Sequence, residues 1–419
     1  MTRLVVGAAE EVLTFGGEGP VRDAGADAYT IEGASVVCEG EHIVSVDGGP
    51  PPEGEDGTVF IDASGCSVSA GFVDCHTHLP FFGWRADEDR ARLSGVDYES
   101  LHRGQGGIFR SAALLSQASD AEILSFSKAR AREMLSFGTT SFETKCGYGL
   151  GVDEDLRQLR LAKALAESIP QDAVSTCLAA HAVPPGYSAG EWIAESVARL
   201  VPAAAREGLA AACDIYVESI AFSREHAVTL SGAAGRHGLR MRAHVDQLSD
   251  MGGAELAAQG GFASADHLNH TSQAGVEALA ASGTAAVLLP GATFTLRQEQ
   301  KPPARALLDA GAIVALGTDC NPGTSPLVSM QTAMALACRL YGLTPLEAFA
   351  AATVNSAGVL AMEDTGRVRP GGRADLVLLD VPRAQEAVYR PDVNHVVAVV
   401  KSGRLVYTAP GHDDRIRQP

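Results

Sequence analysis

The chain has few aromatic residues and few basic residues for its length. Phe, Trp and Tyr make up 5% of the 419 residues, and 33 Lys and Arg stand against 51 Asp and Glu, for a formal net charge of −18. Proteins that bind nucleic acid or anionic membranes usually carry a basic patch. We therefore expect neither partner. An anionic small molecule is still compatible with this composition, because a few buried cations can dominate one pocket.

The chain also lacks paired cysteines and a long apolar run. Its eight cysteines are scattered without a Cys-x-x-Cys pair, which is typical of reduced residues in a large intracellular protein. No apolar run is long enough to cross a bilayer. The first residues, Met1 to Val6, read as a strand and not as a signal peptide. These features predict a cytoplasmic protein.

The pattern of short strands and turns divides the chain into three segments. Residues 1–69 and 366–419 alternate short β-like runs with Gly, Asp and Pro turns. We expect these two ends to pair into one small β-sandwich domain. The segment 70–365 alternates apolar runs with Ala- and Leu-rich helical stretches and is predicted to form a second domain.

This middle segment contains eight candidate strands, each followed by a helical stretch. That arrangement predicts an α/β fold with a (β/α)8 TIM-like barrel, and a doubly wound open sheet is the alternative. The candidate strands are 70–75, 139–145, 173–180, 213–218, 239–244, 263–267, 284–289 and 312–318.

The first barrel strand ends in a pair of histidines. His76 and His78 are two residues apart, and a strand places such residues on the same face. Two imidazoles that converge at a strand end suit a divalent metal such as zinc or ferrous iron. In the alternative, both histidines form hydrogen bonds with backbone groups and bind no metal.

Further metal-ligand side chains follow other barrel strands, where barrel enzymes carry their chemistry. His244 ends the fifth strand and Asp319 the eighth, so we predict one divalent ion bound by these two and the histidine pair. In the alternative, Asp319 caps a helix and His244 bonds within the core. Lys145 leaves two options open: a carboxylated lysine that bridges two metals, or an ion pair with Glu143 or another carboxylate.

Five motifs resemble those of the amidohydrolase superfamily and, more closely, of the imidazolonepropionase family. The resemblance covers nearly the whole chain and implies hydrolysis of 4-imidazolone-5-propanoate to N-formimino-L-glutamate in histidine degradation. The motifs are Gly71–His78, Lys145–Leu150, Ala180–Pro185, Ala265–Leu268 and Thr318–Pro326.

The resemblance assigns roles to residues of this chain. It implies that His76, His78, His244 and Asp319 bind one metal ion, zinc or iron, and that His267 lies near the reacting carbonyl. It also implies a homodimer. The implied substrate-binding residues are Arg85, Tyr98, Tyr148, His181, Gln247, Asn321, Gly323 and Thr324.

Gln247 stands where many family members have Glu, and an amide cannot accept a proton. We therefore expect Asp319 to act as the proton shuttle, with His267 polarising the carbonyl and Gln247 orienting the reactants. Arg85 offers a planar fork for the propionate. Trp84, beside Arg85, is expected to shape the pocket.

Three other functions are alternatives, and the residues argue against two of them. A cyclic amidase acting on a hydantoin- or thiohydantoin-type propionate would use the same metal and the same carboxylate clamp. A catalytically inactive barrel that serves as an assembly subunit would normally have lost metal ligands, and all four stand here. A deaminase on this scaffold is disfavoured by Arg85, Tyr148 and Asn321.

Overall fold

The computed structural model describes residues 3–49, 57–96 and 106–417, and the strands within these ranges form two sheets. In chain order the strands are β1 (Arg3–Phe15), β2 (Ala28–Glu39), β3 (His42–Gly48), β4 (Thr58–Asp62), β5 (Ser67–Ala70), β6 (Phe72–Asp74), β7 (Thr139–Cys146), β8 (Asp172–Ala180), β9 (Ala212–Val217), β10 (Arg240–Val245), β11 (Ser264–His267), β12 (Ala285–Leu288), β13 (Val314–Leu316), β14 (Leu376–Leu379), β15 (Val396–Lys401), β16 (Arg404–Thr408) and β17 (Ile416–Arg417).

Strands β6 to β13 pair in chain order as eight parallel neighbours. Parallel neighbours need a crossover between them, and helices supply it. The middle strands are buried on both faces, as all eight residues of β7 and all six of β9 show. The predicted barrel is therefore confirmed.

Helices connect the barrel strands. They span Ala86–Leu93, Ile108–Gln117, Asp120–Ser136, Val152–Ala166, Ala189–Glu195, Val201–Arg206, Arg224–Arg236, Gly253–Gln259, Gln273–Ala281, Pro290–Thr295, Ala304–Asp309, Met330–Tyr341, Pro345–Ala350 and Ser356–Val359. Wider π-type turns, Ser196–Leu200 and Ala351–Asn355, join two pairs of them; Ala24–Asp27, Ala384–Val388 and Asp413–Arg415 are single helical turns outside the barrel. Several of these helices begin with a serine whose hydroxyl accepts a backbone N–H, as Ser119 and Ser188 do.

The barrel closes just beyond the ends of β6 and β13. There the N–H of His78 donates to the carbonyl of Cys320 at 2.9 Å, and the N–H of Asp319 donates to the carbonyl of His76 at 2.9 Å. The buried Asp74 carboxylate also accepts the N–H of Thr318 at 2.9 Å. The backbone bonds that close the barrel thus hold His76, His78 and Asp319 next to one another.

The two chain ends combine in a nine-stranded sheet with the order β16-β15-β14-β5-β1-β2-β3, while β4 pairs with β1 and β17. The junction is the antiparallel pair β5–β14, in register from Leu376 opposite Ala70 to Leu379 opposite Ser67. The predicted joining of both ends is confirmed. The boundaries at 69/70 and 365/366 stay a prediction.

No helix among residues 3–49, 57–96 and 106–417 is both long enough and apolar enough to cross a membrane.

Candidate metal centre and active site

Three buried histidines converge at the carboxyl ends of the barrel strands. His76 and His78 follow β6, and His244 lies near the end of β10; each is at most 3% exposed. Their ring nitrogens form a group in which all ligand atoms lie within 4.8 Å of one another. The predicted convergence of the histidines from β6 and β10 is therefore present.

Two of these imidazoles are oriented by buried carboxylates. His76 Nδ1 lies 2.7 Å from Asp266, and His244 Nδ1 lies 3.0 Å from Asp214. Their Nε2 atoms are buried and have no hydrogen-bond partner among the residues that the structure describes. A carboxylate on one ring nitrogen and an open second nitrogen is the usual arrangement of a metal-binding histidine.

Asp319 completes the arrangement. Its Oδ1 lies 3.2 Å from His78 Nε2 and 3.5 Å from His76 Nε2. Ligand atoms at the usual zinc distances in tetrahedral geometry are about 3.3 Å apart. These two distances suit a shared cation, while the group whose ligand atoms all lie within 4.8 Å of one another comprises the three histidines without Asp319.

The orienting carboxylates belong to a buried charge cluster beneath the histidines. Its cations are Lys145 and Arg242, and its anions are Glu143, Asp214 and Asp266; none is more than 1% exposed. Lys145 Nζ lies 3.1 Å from Glu143 and also bonds Asp214. Because its ammonium is surrounded by carboxylates, the ion-pair option for Lys145 is the one that this structure supports.

Burial sets the protonation of the pocket. It lowers the pKa of His78 to about 4 and holds the pKa values of His181 and His267 well below their usual range. For Asp319 burial acts in the opposite direction, but its contacts with His76 and His78 outweigh burial and keep the pKa well below normal. The shifts of His78 and Asp319 favour the neutral imidazole and the ionised carboxylate that bind a metal. The pKa of His76 is instead raised, because its contacts with Asp266 and Asp319 outweigh burial.

The backbone is strained where these groups leave the strands. Asp246, His267 and Asp319 have φ angles of 52°, 82° and 55°, in the left-handed region that non-glycine residues rarely adopt. Such strain is often found at functional sites, where surrounding structure maintains it. These conformations occur where β10, β11 and β13 end, and His267 and Asp319 line the pocket.

A narrow pocket with about 30 Å³ of open space lies over the histidines. Its lining comprises His78, Arg85, Ile108, Tyr148, His181, Tyr216, His244, Gln247, His267, Asp319, Asn321 and Thr324. The structure thus brings together most of the predicted substrate-binding residues. Gly323 lies behind Arg85, and Tyr98 lies outside the described residues.

Arg85 is the cation of this pocket. Its side chain is 2% exposed, and Nη1 lies 3.4 Å from Glu88. Within the described part of the chain, its Nε and Nη1 atoms have no hydrogen-bond partner. Buried donors without acceptors are costly, so this guanidinium is prepared to receive an anionic group.

Asn321 lines the pocket, but its amide is engaged by its own loop. Its Oδ1 accepts the N–H groups of Gly323 at 2.9 Å and Thr324 at 2.7 Å, while Nδ2 donates to the carbonyl of Asp319 at 2.6 Å. In this structure Asn321 shapes the segment that follows β13 and fixes the backbone of Asp319.

The loop after β7 places Tyr148 beside His181. The two rings lie 5.1 Å apart, and His181 stacks on His78 at 5.2 Å. Gln158, on the next helix, accepts the N–H of Tyr148 at 2.9 Å and thereby fixes the loop. Trp84, expected to shape the pocket, lies outside this lining and packs against Phe81 at 5.2 Å.

Sequence reasoning missed Ile108, Tyr216 and the orienting role of Asp214. Asp214, Tyr216 and Glu218 alternate along β9 and just beyond it, so their shared face was a usable signal. Glu218, just after β9, is engaged elsewhere, because its carboxylate accepts the N–H of Leu248 at 2.8 Å. Ile108 starts a helix and carries no such signal.

Comparison with known proteins places the chain in a family. The amidohydrolase family model matches residues 67–406. Imidazolonepropionase of Paracoccus denitrificans is 44% identical over 348 residues, covering 82% of this chain and 87% of that protein. Imidazolonepropionase of Rubrobacter xylanophilus is 42% identical over 417 residues, covering 97% and 99%. The chain belongs to the imidazolonepropionase branch of the amidohydrolase family.

Solved structures of other amidohydrolase-like enzymes share the fold. Atrazine chlorohydrolase TrzN of Arthrobacter aurescens, complexed with zinc, gives a TM-score of 0.73 at 17% identity over 97% of this chain and 95% of that chain. An adenosine deaminase of Xanthomonas campestris with bound zinc gives 0.69 at 18% identity over 96% and 92%. The fold of this chain therefore recurs in these two zinc-bound enzymes.

Proposed function

We propose that the protein hydrolyses 4-imidazolone-5-propanoate to N-formimino-L-glutamate. Family membership with imidazolonepropionases over nearly the whole chain supports this activity. The observation that carries it is the pairing of a histidine–aspartate metal centre with the buried guanidinium of Arg85 in one pocket. Water adds to the ring carbonyl carbon, the bond from that carbon to the ring nitrogen breaks, and a new carboxylate forms.

We further propose that one divalent ion, zinc or iron, is held by His76, His78, His244 and Asp319. When bound, such an ion supplies a Lewis acid that polarises a carbonyl and lowers the pKa of water. Asp214 and Asp266 orient two of the imidazoles towards the ion.

Substrate recognition is assigned to the guanidinium of Arg85. Its Nε–H has no hydrogen-bond partner among the described residues, and together with the neighbouring Nη2–H it forms one planar edge for the two oxygens of the propionate. Tyr148, His181, Asn321 and Thr324 line the same pocket and enclose the ring. Gly323 lies directly behind the guanidinium of Arg85. The role of Tyr98 in substrate binding stays a prediction.

Proton transfer is assigned to Asp319. Its ionised carboxylate takes a proton from the attacking water and returns it to the leaving ring nitrogen. His267, kept neutral by burial, can donate one ring N–H to the oxygen of the attacked carbonyl. Gln247 cannot titrate and acts by hydrogen bonding.

Hydrolysis in ¹⁸O-labelled water tests this function. The proposal predicts that purified protein converts the imidazolone to N-formimino-glutamate carrying one label in the new carboxylate. His244→Ala should lose both metal and turnover, whereas Ser116→Ala, an exposed position on an outer helix, should retain both. Conversion to any other product, or no conversion by the metal-loaded protein, would contradict the proposal.

A further inference from the structure

Tyr216 contacts Gln247 inside the pocket. The phenolic Oη of Tyr216 donates to Gln247 Oε1 at 2.8 Å, and both side chains are buried, at 4% and 7% exposure. Both also line the space over the metal centre. The oxygen end of the Gln247 amide is thus the end turned towards Tyr216.

Gln247 is also fixed through its backbone. Gln298 Nε2 donates to the main-chain carbonyl of Gln247 at 3.0 Å, while the Tyr216 ring lies against His244 with centroids 6.0 Å apart. The backbone of Gln247 and the position of the phenol are therefore both set. The Tyr216 hydroxyl contacts the terminal amide itself and so restricts its rotation.

We propose that Tyr216 is a positioning residue that holds Gln247 as a hydrogen-bond donor. Because Oε1 accepts the phenol, the Nε2 hydrogens are directed away from Tyr216 and are available to a ligand. Without the phenol, the amide can flip and present its oxygen to the same point. This inference rests on the proposed function and refines it.

The consequence concerns the substrate atom that Gln247 meets. A fixed NH₂ group accepts no hydrogen bond, so it matches an acceptor atom of the ring, such as its carbonyl oxygen or an unprotonated nitrogen. A ring N–H at that point would leave two donors facing each other at a cost to binding. Tyr216 thereby selects how the ring lies over the metal centre.

A side-chain NMR experiment tests the positioning without any turnover. Protein labelled with ¹⁵N at glutamine side chains should give a well-ordered NH₂ pair for Gln247, assigned by its loss in Gln247→Met. Tyr216→Phe should lower the order of that pair. Tyr341→Phe, which removes a buried phenol bonded to Thr293 at 2.7 Å, should leave it unchanged. Unchanged order in Tyr216→Phe would overturn the proposal even if the protein proved inactive on imidazolones.

A double-mutant cycle tests the functional link. Tyr216→Phe should lower kcat/KM roughly 2- to 10-fold, as expected for one neutral hydrogen bond. In a Gln247→Met background the same change should have almost no effect, because the amide that Tyr216 positions is gone. Equal losses in both backgrounds would show that Tyr216 acts independently of Gln247 and would overturn the proposal.

Discussion

Arg85 packs flat against the α-carbon of Gly323. A Cβ at position 323 would lie 2.1 Å from Arg85 Nη2 and 2.3 Å from its Cζ, closer than any real contact. Arg92 holds the other side of this glycine, because its Nη2 donates to the Gly323 carbonyl at 2.7 Å. The position of the pocket's cation therefore depends on the absence of a side chain at position 323.

Gly323→Ala is expected to displace Arg85 and weaken substrate binding. The added methyl group overlaps the guanidinium, so KM should rise while metal content stays normal. Gly235→Ala is the matched control, since a Cβ there meets no atom of the described residues within 4 Å. Steady-state kinetics on both variants check this, and an unchanged KM in Gly323→Ala would show that Arg85 does not need its present position.

Arg85→Ala should lower kcat/KM roughly 10- to 100-fold. A charge-assisted bond to a carboxylate typically contributes about 1.5–3 kcal/mol. Arg85→Lys should recover little, because an ammonium cannot offer two parallel donors. The same kinetic assay decides, and wild-type behaviour of Arg85→Ala with an acidic substrate would remove Arg85 from recognition.

Asp214→Asn should weaken metal binding by about 10- to 100-fold, the usual effect of losing a carboxylate behind a metal-binding histidine. An amide oxygen can still accept the His244 N–H but contributes no charge. Asp153→Asn, at a side chain that is 91% exposed, is the control. Competition with a chelator measures both affinities, and equal affinities would show that the charge of Asp214 does not support metal binding through His244.

Asp155→Asn should reduce the pH dependence of stability. Burial raises the pKa of Asp155 from 3.8 to about 7, although N–H groups such as that of Gly149, 2.8 Å away, oppose the shift. Between these values the folded chain holds a proton that the unfolded chain has lost. The stabilisation linked to this proton is therefore complete below the unfolded-state pKa of 3.8. It is lost as the pH rises through the folded-state pKa of about 7, and the total loss is at most about 4 kcal/mol.

Urea unfolding at about pH 5 and about pH 8 measures this effect. The fall in unfolding free energy between the two conditions should be smaller in Asp155→Asn than in wild type. Asp153→Asn, on the same helix but exposed, should behave as wild type. An equal fall in all three proteins would show that Asp155 titrates normally in the folded chain.

The barrel and the convergence of three histidines could be predicted because their signals are local. His76 and His78 are two residues apart on one strand, and His244 and Asp319 follow apolar runs. Contacts between distant strands could not be predicted in this way. The pairing of Tyr216 with Gln247 and the packing of Arg85 on Gly323 depend on how loops from different strands meet, which periodicity does not encode.

The initial rates on three ring propionates test the central claim most directly. Metal-loaded protein should hydrolyse the imidazolone with a kcat/KM well above that for the hydantoin and thiohydantoin analogues. Asp319→Asn should abolish that turnover even with its metal content confirmed. A preference for either analogue, or near-normal imidazolone hydrolysis by metal-loaded Asp319→Asn, would contradict the account.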